Sequence, residues 1–159
     1  MEFITVVLNN FSGISVISDT NFIYNVISGS STIGNGGVGV RLAGANNQII
    51  LSAFEKNTQS GVEISGNNNY IKQSSALSNS GSGFVITTAN NITLDSVTAN
   101  DNGVDGILAE ASSMSGGLIF NSTARDNSGD DLSDQNTIPC GRFQWINNDF
   151  GTANNSCID

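Results

Sequence analysis

Apolar positions in this chain come in short alternating pairs, and the pairs recur in phase. A pentad of Asn, three arbitrary residues and Gly opens each recurrence: Asn9–Gly13, Asn35–Gly39, Asn57–Gly61, Asn79–Gly83 and Asn102–Gly106, with a degenerate sixth copy at Asn127–Asp131. After each glycine come an apolar residue, an arbitrary one and another apolar one: Ile14/Val16, Val40/Leu42, Val62/Ile64, Phe84/Ile86 and Ile107/Ala109. A second apolar group follows in the later half of the repeat, at Ile49/Leu51, Ile71, Ile92/Leu94 and Leu118/Phe120. Asparagine pairs precede three of these groups: Asn46-Asn47, Asn68-Asn69 and Asn90-Asn91. Period-2 alternation bounded by Asn, Gly and Ser clusters predicts two short half-buried strands per repeat. No apolar run at helical spacing is long enough to cross a sheet.

The pentad asparagines step by 26, 22, 22, 23 and 25 residues. A period in this range marks a solenoid. Parallel stacking sets each strand about 4.8 Å from its counterpart one coil away, and the inward residues become columns. One column is Ile14, Val40, Val62, Phe84, Ile107 and Leu132; the next is Val16, Leu42, Ile64, Ile86 and Ala109. The residues between them, Ser15, Arg41, Glu63, Val85, Leu108 and Ser133, face outward. Each buried member contributes about 1.5–3 kcal/mol, and one coil alone buries almost none of it, so several coils form together. The pentad residues Asn9, Asn35, Asn57, Asn79, Asn102 and Asn127 are expected to form a ladder, each amide donating to and accepting from its neighbours. The glycine four residues on is expected either to hold a positive φ or to allow close backbone approach.

Leucine-rich repeats share the period but demand Leu at fixed positions, and this chain is rich in Asn, Gly and Ser instead. A hexapeptide pattern and G-G-x-G-x-D calcium-roll copies are both missing. The expectation is therefore an all-β fold: a right-handed parallel β-helix of about six coils over residues 1–138, closed by a small cap at 139–159.

The pattern N-x-x-x-G-[IVF]-x-[IVL] followed by N-N-x-I resembles the parallel β-helix repeat of the pectate-lyase-like superfamily, over about residues 9–134. The ending Cys140–Asp159 resembles the terminal stretch of secreted bacterial β-helix repeat proteins. The resemblance implies the architecture and leaves function open, because lyases, hydrolases, epimerases, tailspikes and non-catalytic surface proteins all share it.

Charge narrows the partners. A net charge of −9 excludes nucleic acid and anionic membrane, which need basic patches. No stretch reaches the ~20 apolar residues of a membrane span. Residues 1–8 lack a basic start and a cleavage site, so they are read as a first strand, as in a mature or excised form. Cys140 and Cys157 either bond, closing a cap whose core Phe143, Trp145, Ile146 and Phe150 can plug, or are two unrelated buried thiols. The bonded form is expected, and it implies an oxidising, extracellular or cell-surface location.

With no histidine, Ser/His and Cys/His nucleophiles and His-based metal sites are excluded. The resemblance supplies three enzyme templates. An arginine base beside acidic calcium ligands leaves Arg125 as the candidate. A carboxylate set leaves Asp130 and Asp131, which as strand neighbours point to opposite faces. The Y-G-x-D-P-H stretch of the epimerase template is not present. Tyr24 and Tyr70 read as coil-edge aromatics. Asp101 and Asp126 share the slot before the repeat Asn, and Asp105 and Asp130 the slot three residues after it, which makes the four an expected calcium site. The chain is thus read as a non-catalytic structural or carbohydrate-associated module. The alternatives are a relative of a polysaccharide lyase, epimerase or hydrolase acting on acidic polysaccharide, and a solenoid subunit stacking end to end.

Overall fold

The computed structural model describes residues 5–17, 26–28, 31–110, 116–136, 138 and 140–159. Residues 1–4 of the expected first strand, and Tyr24, lie outside the described residues. All described strand pairings are parallel and run between consecutive coils, in three sheets. The first sheet holds β1 (Thr5–Val7), β4 (Ser31–Ile33), β7 (Ala53–Glu55), β10 (Ser75–Leu77), β13 (Thr98–Asn100), β16 (Thr123–Arg125) and β19 (Asp149–Phe150). The second holds β2 (Ile14–Val16), β5 (Val40–Leu42), β8 (Val62–Ile64), β11 (Phe84–Ile86), β14 (Ile107–Ala109) and β17 (Leu132–Asp134). The third holds β3 (Val26–Ser28), β6 (Gln48–Ile50), β9 (Tyr70–Lys72), β12 (Ile92–Asp95), β15 (Gly117–Phe120) and β18 (Phe143–Ile146).

Each coil therefore carries three strands, not the two expected. The strand that went unread is the one before the pentad Asn. It has a single inward residue, and in most coils that residue is small: Thr32, Ala76, Ala99 and Ala124, with Phe54 the exception. Three residues with one small inward side chain give no alternation to read. The glycine opposite is what the packing requires: a Cβ at Gly61, Gly83 or Gly106 would sit 2.8, 2.9 and 3.0 Å from the Cβ of Ala76, Ala99 and Ala124.

The second sheet has the register expected. Ile14, Val40, Val62, Phe84, Ile107 and Leu132 pair in one column, and Ser15, Arg41, Glu63, Val85, Leu108 and Ser133 in the next. The third sheet differs in two places. Its inward column is Ile49, Ile71, Leu94, Ile119 and Trp145, so Leu118 and Phe120 face outward. Gly116 takes a left-handed corner (φ 64°), which starts the strand at Gly117 and brings Ile119 opposite Leu94. Leu51 is not inward either; it sits at a corner with φ 52° and is 59% exposed.

Corners of this kind turn the chain between strands within one residue. Leu8, Lys56, Ser78, Asp101 and Asp126 hold φ of 53–58° immediately before the pentad asparagines. A left-handed backbone costs a non-glycine residue about 1–3 kcal/mol. It persists here because the ladder residue that follows over-determines the turn.

The segment expected as a cap is in part a continuation of the helix. β18 pairs with β15, β19 with β16, and Ala153 bridges to Leu132. The closing function is also present: Cys140 and Cys157 are bonded, and Phe143, Trp145 and Ile158 are buried at this end. Phe150 packs part-buried, while Ile146, one residue past Trp145 and on the opposite face, is 46% exposed. Among the described residues no helix is long and apolar enough to cross a membrane.

The register yields a paired test. Ile64→Asp puts an unpartnered charge into the apolar stack and is expected to abolish folding. Glu63→Lys, one residue earlier and outward, removes only an exposed ion pair and should cost no more than about 1 kcal/mol. Thermal melts of the two variants check this.

Candidate functional site

Chemistry gathers first at the interior corner where the asparagines stack and on the outward face of the second sheet. In the corner, the Nδ2 of each pentad Asn donates to Oδ1 of the next: Asn9 to Asn35 (3.1 Å), Asn35 to Asn57 (3.0 Å), Asn57 to Asn79 (3.0 Å), Asn79 to Asn102 (3.1 Å) and Asn102 to Asn127 (3.0 Å). The same Oδ1 also accepts the backbone N–H of the preceding asparagine, at 3.0–3.1 Å. Nδ2 of Asn57, Asn79, Asn102 and Asn127 donates in addition to the carbonyls of Thr32, Phe54, Ala76 and Ala99. Buried amides are thereby satisfied by the fold's own period.

The pentad glycine serves by close approach rather than by positive φ. A Cβ at Gly39, Gly61, Gly83 or Gly106 would lie 2.7–3.0 Å from Nδ2 of the next coil's asparagine. The sixth copy lacks that glycine because no further pentad Asn follows Asn127. Asp131 stands in its place, and its Oδ1 accepts both Nδ2 (2.7 Å) and N–H (3.2 Å) of Asn127, as the next asparagine would. Its Oδ2 accepts the N–H groups of Gly151 and Thr152, each at 2.9 Å. Burial pushes this carboxyl's pKa up, but the donors outweigh it and hold it below the ordinary aspartate value.

Three coils shape the outward groove on the second sheet. Glu63, Val85 and Leu108 form its floor on β8, β11 and β14. Ser60, Gly81, Ser82 and Val104 line one side and Thr87 and Glu110 the other, around a cavity of about 420 Å³. Val85 and Leu108 are recessed, only 7% and 9% exposed, although they face outward. Glu63 is paired with Arg41 at 3.0 Å. Among the described residues Glu110 has no paired cation. Such a groove offers a recessed apolar strip with carboxylate and hydroxyl groups along its edges.

The third sheet carries a compact polar cluster that the sequence reading missed. Tyr70 donates its hydroxyl to Asp95 Oδ2 (2.7 Å), Lys72 Nζ lies 3.1 Å from the same oxygen, and Ser96 Oγ donates to Oδ1 (2.8 Å). Burial and then the Asp95 hydrogen bond raise the Tyr70 pKa, and Asp95 raises that of Lys72. Burial opposes ionisation of Asp95, yet its three donors take its pKa below the usual value. Tyr70 and Lys72 thus both keep their protons, and the cluster is a saturated ion pair rather than a base. Its signal in the sequence was the Lys72–Asp95 cross-strand pair.

The other expected site residues are scattered. Arg125 pairs with Asp149. Asp101 and Asp126 are exposed at left-handed corners. Asp105 is buried and its Oδ1 accepts the N–H of Asp130 at 2.9 Å; burial, with the Asp130 charge, raises its pKa despite that bond. Among the described residues no three His, Cys, Asp or Glu side chains gather in a way that could hold a metal ion. Asp101 and Asp126 occupy the corner itself, four residues before Asp105 and Asp130. Asp130 and Asp131 diverge, and Asp131 is committed to the ladder.

A buried carboxylate outside every expected set is Asp134. It occupies the inward slot next to Ala109 and accepts from Asn136 N–H and Nδ2, Cys140 N–H and Trp145 Nε1. An aspartate falling in an apolar column was the clue to this closing node.

The right handed beta helix region family matches residues 4–150, and the chain belongs to that family. Its fold is similar to the A-module of the Azotobacter vinelandii mannuronan C-5 epimerase AlgE4, with a TM-score of 0.74 at 14% identity, covering 96% of this chain and 54% of that one. It is also similar to the periplasmic alginate epimerase AlgG, with a TM-score of 0.72 at 15% identity, covering 93% of this chain and 39% of that one. The chain thus spans about half or less of the length of these structures. No curated protein sequence matches it.

The ladder's end gives a counterintuitive expectation. Asp131→Gly restores the repeat consensus, yet should destabilise the protein by about 3 kcal/mol through loss of charge-assisted hydrogen bonds. Because the folded-state pKa of Asp131 is depressed, its contribution is complete above the ordinary aspartate pKa and is lost as pH falls below it, through the depressed value. Asp105, with a raised pKa, has the opposite sign, so the comparison must be between variants. Stability of Asp131→Asn should fall less steeply than wild type on acidification; denaturant melts across acid pH test both statements.

Proposed function

We propose that this β-helix is a non-catalytic polysaccharide-binding module that holds a glycan chain in the groove of the second sheet. The observation that carries the reading is the groove itself: a recessed Val85–Leu108 strip continued by Glu63 and edged by Ser60, Ser82, Thr87 and Glu110, running across three coils. Sugars present apolar C–H faces flanked by hydroxyls, and this strip with its polar edges is complementary to that arrangement. The repeating surface also suits a repeating ligand. Two structures of similar fold are named for action on mannuronan and alginate, which supports a polysaccharide as the partner class. The Cys140–Cys157 bond supports an oxidising, extracellular or cell-surface location.

The non-catalytic form of the reading rests on what the groove's titratable groups do. Glu63 is committed to Arg41, and the chain has no histidine to act as a base near neutral pH. Calcium enters only as an assay condition.

Native gels containing soluble polysaccharides, followed by calorimetry on any that retard the protein, test the proposal. Glu110→Ala should weaken binding about 10-fold or more, the scale of one charge-assisted hydrogen bond, and Glu55→Ala on the first sheet should not. Retardation by no polysaccharide, or equal binding by Glu110→Ala, would overturn it. New reducing ends or an unsaturated product in the bound glycan would replace binder with enzyme.

A further inference from the structure

Resting on the binding reading above, we infer that the groove takes a neutral glycan and discriminates against polyuronates. Positive charge is scarce in this chain. The chain has five Lys and Arg residues in all, and each is described. Arg41 is paired with Glu63, Lys72 with Asp95, and Arg125 with Asp149. Arg142 and the exposed Lys56 do not line the groove. The groove's own charged groups are two carboxylates, Glu63 and Glu110. Arg41 is the nearest cation by register, one strand from Glu63, and its guanidinium is already neutralised by that residue.

A uronate carboxylate entering this groove would meet Glu110 without a free cation, beneath the field of a chain carrying −9. Recognition of a carboxylate normally uses an arginine fork or a lysine, and neither is available. A neutral hexose pays no such penalty. Its hydroxyls can donate to Glu63 and Glu110 and exchange hydrogen bonds with Ser60, Ser82 and Thr87, while a ring face covers Val85 and Leu108. The same groups that repel a uronate are good acceptors for sugar hydroxyls, so discrimination comes from the binding residues themselves.

Calorimetry with matched oligosaccharides tests this: neutral glucan, mannan and galactan oligomers against oligouronates of the same length, with calcium and with chelator. Neutral oligomers should bind at least 100-fold more tightly than any oligouronate. Their affinity should change less than about twofold between low and high salt, because no net charge is screened. In E63Q/E110Q, which removes both groove carboxylates and frees Arg41, the preference should shrink by at least tenfold, with an unchanged melt showing that the fold is intact. Oligouronates binding as tightly as neutral oligomers, with or without calcium, would overturn the inference and leave the binding module standing. So would a preference that survives E63Q/E110Q undiminished. Binding of neither class would remove the module reading itself, and this inference with it.

Discussion

A single file of stacked amides, buried from Asn35 to Asn102, sets the geometry that everything else follows. From Asn9 to Asn127 each side chain gives its Nδ2 hydrogen to the next Oδ1, and that oxygen also takes the preceding asparagine's backbone N–H. An asparagine has one acceptor oxygen and two amide hydrogens, and in the interior rungs all are used. The arrangement is possible only if equivalent residues of successive coils meet in register. The ladder therefore converts a sequence period into a spatial one, and an insertion in any coil has to be absorbed elsewhere in that coil. Steps of 22 to 26 residues between rungs show where such insertions fall: between ladder positions, never across them.

The ladder also has a direction, and so the two ends of the solenoid are chemically different. Donation runs towards the C-terminal coils, and the last amide needs an acceptor that is not another coil's asparagine. Asp131 supplies it at a position where every earlier copy must keep glycine to make room for the next rung. A few residues on, Asp134 ends the apolar column in the same way, taking hydrogen bonds from Asn136, Cys140 and Trp145. Two buried carboxylates thus close what amides and aliphatics propagate. The disulfide then ties the closing strand to the chain end. A solenoid has no natural stopping point, so termination has to be built from residues that break its own pattern.

This logic explains what could be read from the sequence. Positions that repeat were legible: the asparagine file, the Val62/Ile64-type columns and the outward slot between them all fall where the period places them. The third strand was not, because it has a single inward residue, small in most coils, and one alanine in a three-residue strand carries no periodic signal. Leu118 and Phe120 misled for a different reason. Hydrophobicity alone placed them inward, while the left-handed corner that recurs at Asn46, Asn68, Asn91 and Gly116 sets the inward position three residues on, which is Ile119. Asp130 and Asp131 were noticed as a pair of carboxylates, the usual sign of chemistry. Their separation into a half-buried edge residue bonded to Asp105 and a ladder terminus follows from coil stacking, which no local pattern reports. The Tyr70–Lys72–Asp95 cluster needed the cross-strand register before its members could be seen as neighbours.

The columns that repeat least are the ones free to carry function. Interior positions answer to the ladder and the core, and a change there is felt by the whole stack. Outward positions lie off the ladder and the apolar columns, so Ser15, Arg41, Glu63, Val85, Leu108 and Ser133 differ from coil to coil in one unbroken register. Yet the backbone beneath them keeps a fixed spacing of about 4.8 Å per coil. The groove is therefore variable in chemistry and rigid in geometry. Rigid strands lose little conformational entropy on binding, so weak contacts can sum along a repeating ligand instead of being spent on ordering the site. Here that chemistry is apolar in the middle and acidic at the edges, with the nearby arginine already neutralised. A surface so built gains most from a long, uncharged, hydroxyl-rich chain lying along the coils.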